Sequence, residues 1–243
     1  MYKLINTFIM GKNTMKWMAV SFTAIVSMGF VSCGDDDHDE EASGNQEASV
    51  ASVTTCPDAN HPHVIDLGLP SGTKWACCNV GASAPEQYGN YYAWGETKPK
   101  DVYGFQSYQY GSSKDNLVDI GLDIAGTSYD AATANWGAPW RMPSLDQIVE
   151  LCENCSYTWT TQNGVEGGKF TGSNGGTVFI PAAGYRGDSG LHEASTIGMY
   201  WSSINGSGLG GDPYYGMHLG VYSGRAHADD KGRPNGLSVR PVR

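Results

Sequence analysis

Long apolar runs are missing from this chain. The stretch from Met18 to Val31 covers 14 residues and is interrupted by serines and a threonine, whereas a membrane-spanning helix needs about 20 apolar residues. Charge is also scarce, at 16% of residues, and basic charge scarcer still: 15 Lys and Arg against 25 Asp and Glu leave a net charge of -10. With no basic stripe to release phosphate counterions, a nucleic-acid partner is disfavoured, and none is expected. The 33 glycines show no every-third-residue period, which excludes collagen, and no repeat of 20 to 50 residues recurs, which argues against a solenoid or propeller. Gly-x-Ser-x-Gly is absent, and no cysteine follows Cys155. What remains is 40% hydrophobic and rich in turn formers, tyrosine and tryptophan, with little sustained helical periodicity. That composition predicts many short strands and tight turns.

Three zones follow from the order of charges. Residues 1–33 carry three lysines, residues 34–50 carry seven acids, and the rest carries 12 bases against 18 acids. Lys12 and Lys16 ahead of the apolar run, and small Ser32 before Cys33, give residues 1–32 the pattern of a secretory signal peptide, with Met15 as a more ordinary start than Met1. Phe30-Val31-Ser32-Cys33 resembles a bacterial lipoprotein box, which implies diacylation of Cys33 and a membrane partner through a lipid anchor; the alternative is a secreted protein with an incidental cysteine. The acids at 35–37 and 39–41 resemble the export tag of Bacteroides-type surface lipoproteins, implying the outer membrane and the cell surface, although a solvated spacer explains them too. Residues 33–58 thus read as a lipidated, acidic, disordered tether, and 59–243 as one domain.

Within that domain the pattern predicts strands at Val64 to Leu67, Lys74 to Asn79 and Tyr91 to Trp94. Long loops follow over 96–128, then a short helix at Asp130 to Trp136. The clearest helix starts at Ser144, with Gln147 closing a capping box and Leu145, Ile148, Val149, Leu151 and Cys152 on one face. An antiparallel meander follows at Tyr157 to Thr161, Lys169 to Thr171 and Thr177 to Ile180. Later strands are expected at Met199 to Ser202, Tyr214 to Val221 and Leu237 to Val242.

Seven blocks carry a family likeness, among them 64–76, Ala93-Trp94-Gly95-Glu96, Trp140-Arg141-Met142-Pro143, 180–186 and 237–242. They resemble the Fibrobacter succinogenes major paralogous domain, and more distantly C-type-lectin-like domains, including the sulfatase-modifying group. The resemblance implies an α+β, C-type-lectin-like fold with antiparallel strands, one or two short helices and long loops. It supplies no catalytic residues.

The chemistry-bearing residues are sparse. The calcium motifs of sugar-binding lectins, Glu-Pro-Asn or Gln-Pro-Asp with Trp-Asn-Asp, do not occur. Asp115, Asp119 and Asp123 lack a calcium-hand loop and read as a solvated face. Neither a metal nor any other cofactor is expected. Cys152 and Cys155 have redox spacing but sit at a helix end, where the dipole disfavours a thiolate. Cysteine pairing stays open: a buried thiol or a bridge between the Cys77-Cys78 strand and the Cys152-Cys155 helix is favoured over a zinc site, with Cys78–Cys155 the bridge chosen. His192 and His218 read as surface and core residues rather than catalytic bases. Tyr108, Tyr110, Tyr214 and Tyr215 are the candidate ligand-binding aromatics, able to stack on a sugar ring or anchor a protein. The chain therefore reads as a non-catalytic binding module for a neutral glycan or an envelope or host protein. An assembly component of a cell-envelope complex is the alternative, and a diverged enzyme of the sulfatase-modifying lineage the third reading.

Overall fold

A computed structural model describes residues 63–206 and 210–243, which fall in one compact unit. The expected signal peptide, Cys33 and the expected acidic tether lie outside the described residues. The fold is α+β: short antiparallel strands in small sheets, with two short helices.

The chain opens with β1 (Val64–Asp66) paired to β2 (Lys74–Ala76) across the Leu69-Pro70-Ser71-Gly72 turn. A small hairpin, β3 (Gly111–Ser113) and β4 (Asn116–Leu117), interrupts the region expected to be loop. Helix α1 (Ala131–Trp136) is capped by Asp130, whose buried carboxylate accepts from the backbone N–H groups of Gly126, Ala132, Thr133 and Met142. One side chain therefore starts the helix and ties both flanking loops to it. Helix α2 (Leu145–Asn154) begins with the expected capping box between Ser144 and Gln147. It buries Ile148 and Leu151, while Val149, expected on that face, is exposed.

Two three-stranded sheets hold the core. The first joins β5 (Ser156–Gln162), β6 (Val165–Thr171) and β7 (Thr177–Pro181), with Asn163 and Gly164 at positive φ in the tight turn between β5 and β6. After the hairpin of β8 (Tyr185–Gly187) and β9 (Gly190–His192), the second sheet joins β10 (Ile197–Asn205), β11 (Tyr215–Tyr222) and β12 (Arg225–Gly232). Successive side chains of a strand face opposite ways, so β10 and β11 serve two cores. Tyr200, Leu219 and Val221 join Trp75, Ile148, Leu151, Phe170 and Ile180 on one side. Met199 and Trp201 join Trp94, Ile124, Met142 and Leu237 on the other. Burial on both faces explains why β10 reads as a nearly continuous apolar run.

Two expected strands are corrected. Tyr92 makes only an isolated bridge to Leu237, and the segment after β12 runs through the molecule as bridges: Leu237 to Tyr92, Ser238 to Tyr200, and Val242 to Trp75 and Arg141. Each bridge uses a different neighbour, so no continuous ladder forms. Arg240 fixes this segment, donating from Nε to Asn79 Oδ1 at 2.7 Å and from Nη1 to the carbonyls of Ala76 and Cys77.

Candidate functional site: an aromatic cleft at the β8–β9 hairpin

Pairing places Tyr185 directly opposite His192 on the β8–β9 hairpin. Their rings stack with centroids 5.1 Å apart and planes 23° from parallel. Phe105 and Tyr214, themselves stacked at 5.7 Å and 28°, line the same cleft of about 330 Å³ as this pair. The loop carrying Phe105 is held by Gly104 N–H on the Pro234 carbonyl and by buried Tyr103, whose hydroxyl donates to Tyr91 O. Tyr214 is set by a turn in which Asp212 Oδ1 accepts its N–H. Gly104, at φ 106°, permits the closure: a Cβ there would fall 1.8 Å from Asp188 Oδ1.

Polar groups interrupt these aromatic walls. Ser189 Oγ and His192 Nε2 are 2.9 Å apart. Asp188 Oδ1 accepts from Gln106 Nε2 at 3.3 Å and is otherwise exposed. Asn235 donates its amide to Gly232 O, leaving Oδ1 toward the cleft beside Gly187. Lys231 Nζ sits 3.5 Å over the Tyr185 ring, a cation on the π face. Burial raises the phenol pKa of both Tyr185 and Tyr214, with Glu193 adding to the first and Tyr215 to the second. Both phenols are therefore neutral at physiological pH, and each ring carries a hydroxyl at its edge. The arrangement can hold a ring with one apolar face and hydroxyls around its rim.

The four sequence-predicted aromatics separate. Tyr214 lines the cleft, and Tyr215 supports it edge-on at 4.7 Å and 70°. Tyr110 lies elsewhere, between the edges of Tyr108 and Tyr129, beside a depression whose Glu96 carboxylate is taken up by Lys100 and the Gln109 N–H. Tyr108 is corrected: it is buried, its hydroxyl donating to Trp94 O and accepting from Arg233 Nε. A long loop suggested exposure, but the loop folds its tyrosines inward. Phe105, Tyr185 and His192 were not singled out as ligand residues. The available signal was Tyr185 in the Ala182-Ala183-Gly184-Tyr185-Arg186 block, seven residues before His192.

The favoured Cys78–Cys155 bridge is corrected as well, because Cys152 and Cys155 are both free thiols. They pack against the same core as Cys77 and Cys78 without bridging to them. Burial pushes the Cys152 thiol up to about 12 and Cys155 up to about 11, so desolvation, more than the helix dipole, keeps this pair protonated. Asp119 and Asp123 each accept a backbone N–H two residues on, from Gly121 and Ala125, and so cap local turns. Among the described residues no three His, Cys, Asp or Glu side chains converge on a point that would hold a metal ion.

His218 is the other notable group. It is 1% exposed in the middle of β11, edge-on to Trp201 at 6.5 Å, and neither ring nitrogen has a hydrogen-bond partner. Burial lowers its pKa to about 4, with Asp229 working against that shift and Lys231 and His227 adding to it. The imidazole is thus neutral at physiological pH.

No family model, curated protein or solved structure matches this chain.

Proposed function

We propose that the folded part is a non-catalytic, C-type-lectin-like binding module of the Fibrobacter major paralogous type that takes a neutral glycan in the aromatic cleft. In this reading the module is held at the outer surface of the outer membrane by a lipid on Cys33 and the acidic tether behind it. The observation that carries it is the meeting of two stacked pairs, Tyr185 on His192 and Phe105 on Tyr214, in one cleft that Asn235, Ser189 and Asp188 also line. Apolar sugar faces stack on such rings, and the carbonyl, hydroxyl and carboxylate meet the sugar hydroxyls. The exposed Asp188 and the net negative charge of the chain disfavour anionic polysaccharides. A binding role also fits the Ser189–His192 pair: the neighbouring acid, Asp188, engages Gln106, so it does not orient the imidazole as an activated serine requires.

The test is a glycan array and titration with a fragment from Ala51 to Arg243 alongside its Tyr214→Ala and Tyr185→Ala variants. Saturable binding of a neutral oligosaccharide, lost in both variants, supports the proposal. Absence of binding to any neutral glycan rejects it. The second reading, an assembly component of the envelope, draws on Val118 and Leu122, large aliphatic side chains 52% and 56% exposed on one rim. Retention of envelope proteins by the fragment, abolished by Leu122→Asp but not by Tyr214→Ala, would favour it.

A further inference from the structure

A second cleft, of about 290 Å³, opens beside β4 and is lined by Leu117, Val118, Leu122 and Pro213, with Asp119 at its rim. Its volume is near the lower end of the small-ligand range of roughly 300 to 1,000 Å³. At its base lies Arg233, only 1% exposed. The guanidinium lies over the Trp94 ring at 4.8 Å and near Tyr108 at 5.6 Å. Nε donates to Tyr108 Oη at a full-strength 2.9 Å. The two terminal nitrogens do worse: Nη1 reaches Pro213 O and Nη2 reaches Val118 O, each at 3.3 Å, beyond the roughly 2.7 to 2.9 Å of a charge-assisted bond to an anion. Among the described residues Arg233 has no carboxylate partner. Asp119 does not serve as one; its Oδ1 accepts from Gly121 N–H.

A buried guanidinium whose outer nitrogens hold two long contacts to neutral carbonyls is short of a counter-charge. Arg233 lines the cleft together with the residues that own both carbonyls, so an entering group displaces these long contacts to reach the two nitrogens. Their fork geometry matches a carboxylate, which accepts from Nη1 and Nη2 together. Beyond it, Leu117, Val118, Leu122 and Pro213 give the lining an aliphatic side, with Asp119 and Asn205 as its other polar residues, and Val118 and Leu122 are exposed. We propose that this cleft binds an aliphatic carboxylate, its anionic end on Arg233 and its hydrocarbon against Val118 and Leu122. The site is separate from the aromatic cleft and does not rest on the glycan reading.

The experiment titrates the purified protein, by calorimetry and by amide NMR, with hexanoate and with N-acetylleucine, each beside its neutral amide. At least tenfold tighter binding of an acid over its amide is expected, with shifts centred on Leu117 to Leu122. Preference for hexanoate assigns a free fatty-type acid, and preference for N-acetylleucine assigns the end of a peptide. Because Arg233 packs on Trp94, its replacement threatens the fold. Leu122→Asp, at an exposed position, is the decisive variant and should weaken acid binding at least tenfold. The proposal is overturned if neither acid binds, if the amides bind as well as the acids, or if Leu122→Asp leaves acid binding unchanged.

Discussion

Acid should destabilise this protein through one histidine. In the unfolded chain His218 takes a proton near pH 6.5, whereas in the folded state burial holds it neutral down to about 4. Between those values the unfolded state binds more protons, so stability is complete above 6.5, falls as pH drops toward 4, and is flat below. At 1.36 kcal/mol per pH unit the full loss is about 3 kcal/mol, of which about 2 kcal/mol has gone by pH 5. The groups facing His218 are Asp229, which attracts the proton, and Lys231 and His227, which repel it. The perturbation is His218→Leu, similar in size and free of the two ring nitrogens that lack partners. Urea unfolding followed by tryptophan fluorescence at pH 7.5 and pH 5.0 measures both proteins. The parent should lose about 2 kcal/mol more than the variant over that interval, and the variant should match or exceed the parent at pH 7.5. Equal losses in the two proteins would refute the assignment of acid sensitivity to a buried neutral imidazole.

Three further outcomes follow from the geometry. Asp130→Ala strands the N–H groups of Gly126, Ala132, Thr133 and Met142; it should cost about 3 kcal/mol or more in urea unfolding, with Asp130→Asn losing less. Gly187→Ala adds a methyl 3.4 Å from His192 Nε2 and 3.6 Å from Asn235 Oδ1. It should narrow the aromatic cleft and weaken glycan binding about fivefold or more, while the melting transition stays in place because the contacts are of ordinary length. With their pKa values raised to about 12 and about 11, Cys152 and Cys155 should react with an aromatic disulfide at pH 8 more slowly than a free cysteine, by roughly three and roughly two orders of magnitude respectively. Labelling at the rate of free cysteine would contradict their burial.

Local signals predicted local structure well. The Ser144 cap, the short helix ending at Trp136, the Asn163-Gly164 turn and the starts of the first two strands all rest on interactions within a few residues, and appear where the sequence places them, although the second strand stops at Ala76. What the sequence concealed depends on distant partners. Strand β12 offers the core only the small Ala226 and Ala228 among Arg225, His227, Asp229, Asp230 and Lys231, an alternation too weak to mark a strand. Leu237 to Val242 has strand-like residues but is shared among Tyr92, Tyr200, Trp75 and Arg141, and no sequence period encodes that sharing. The cleft was half legible for the same reason. Tyr214 stood out as an aromatic in a turn-rich segment, but Phe105, Tyr185 and His192 meet it only through the pairing of β8 with β9 and the bond from Gly104 to Pro234.

The glycan reading is tested most directly by amide and aromatic NMR of the folded unit during titration with a neutral oligosaccharide that the array identifies. The account predicts saturable shifts confined to Phe105, Tyr185, Asp188 to His192, Tyr214 and Asn235, with slowed solvent exchange at the Tyr214 hydroxyl. Saturable binding whose shifts fall on another face, leaving these residues unmoved, would contradict it.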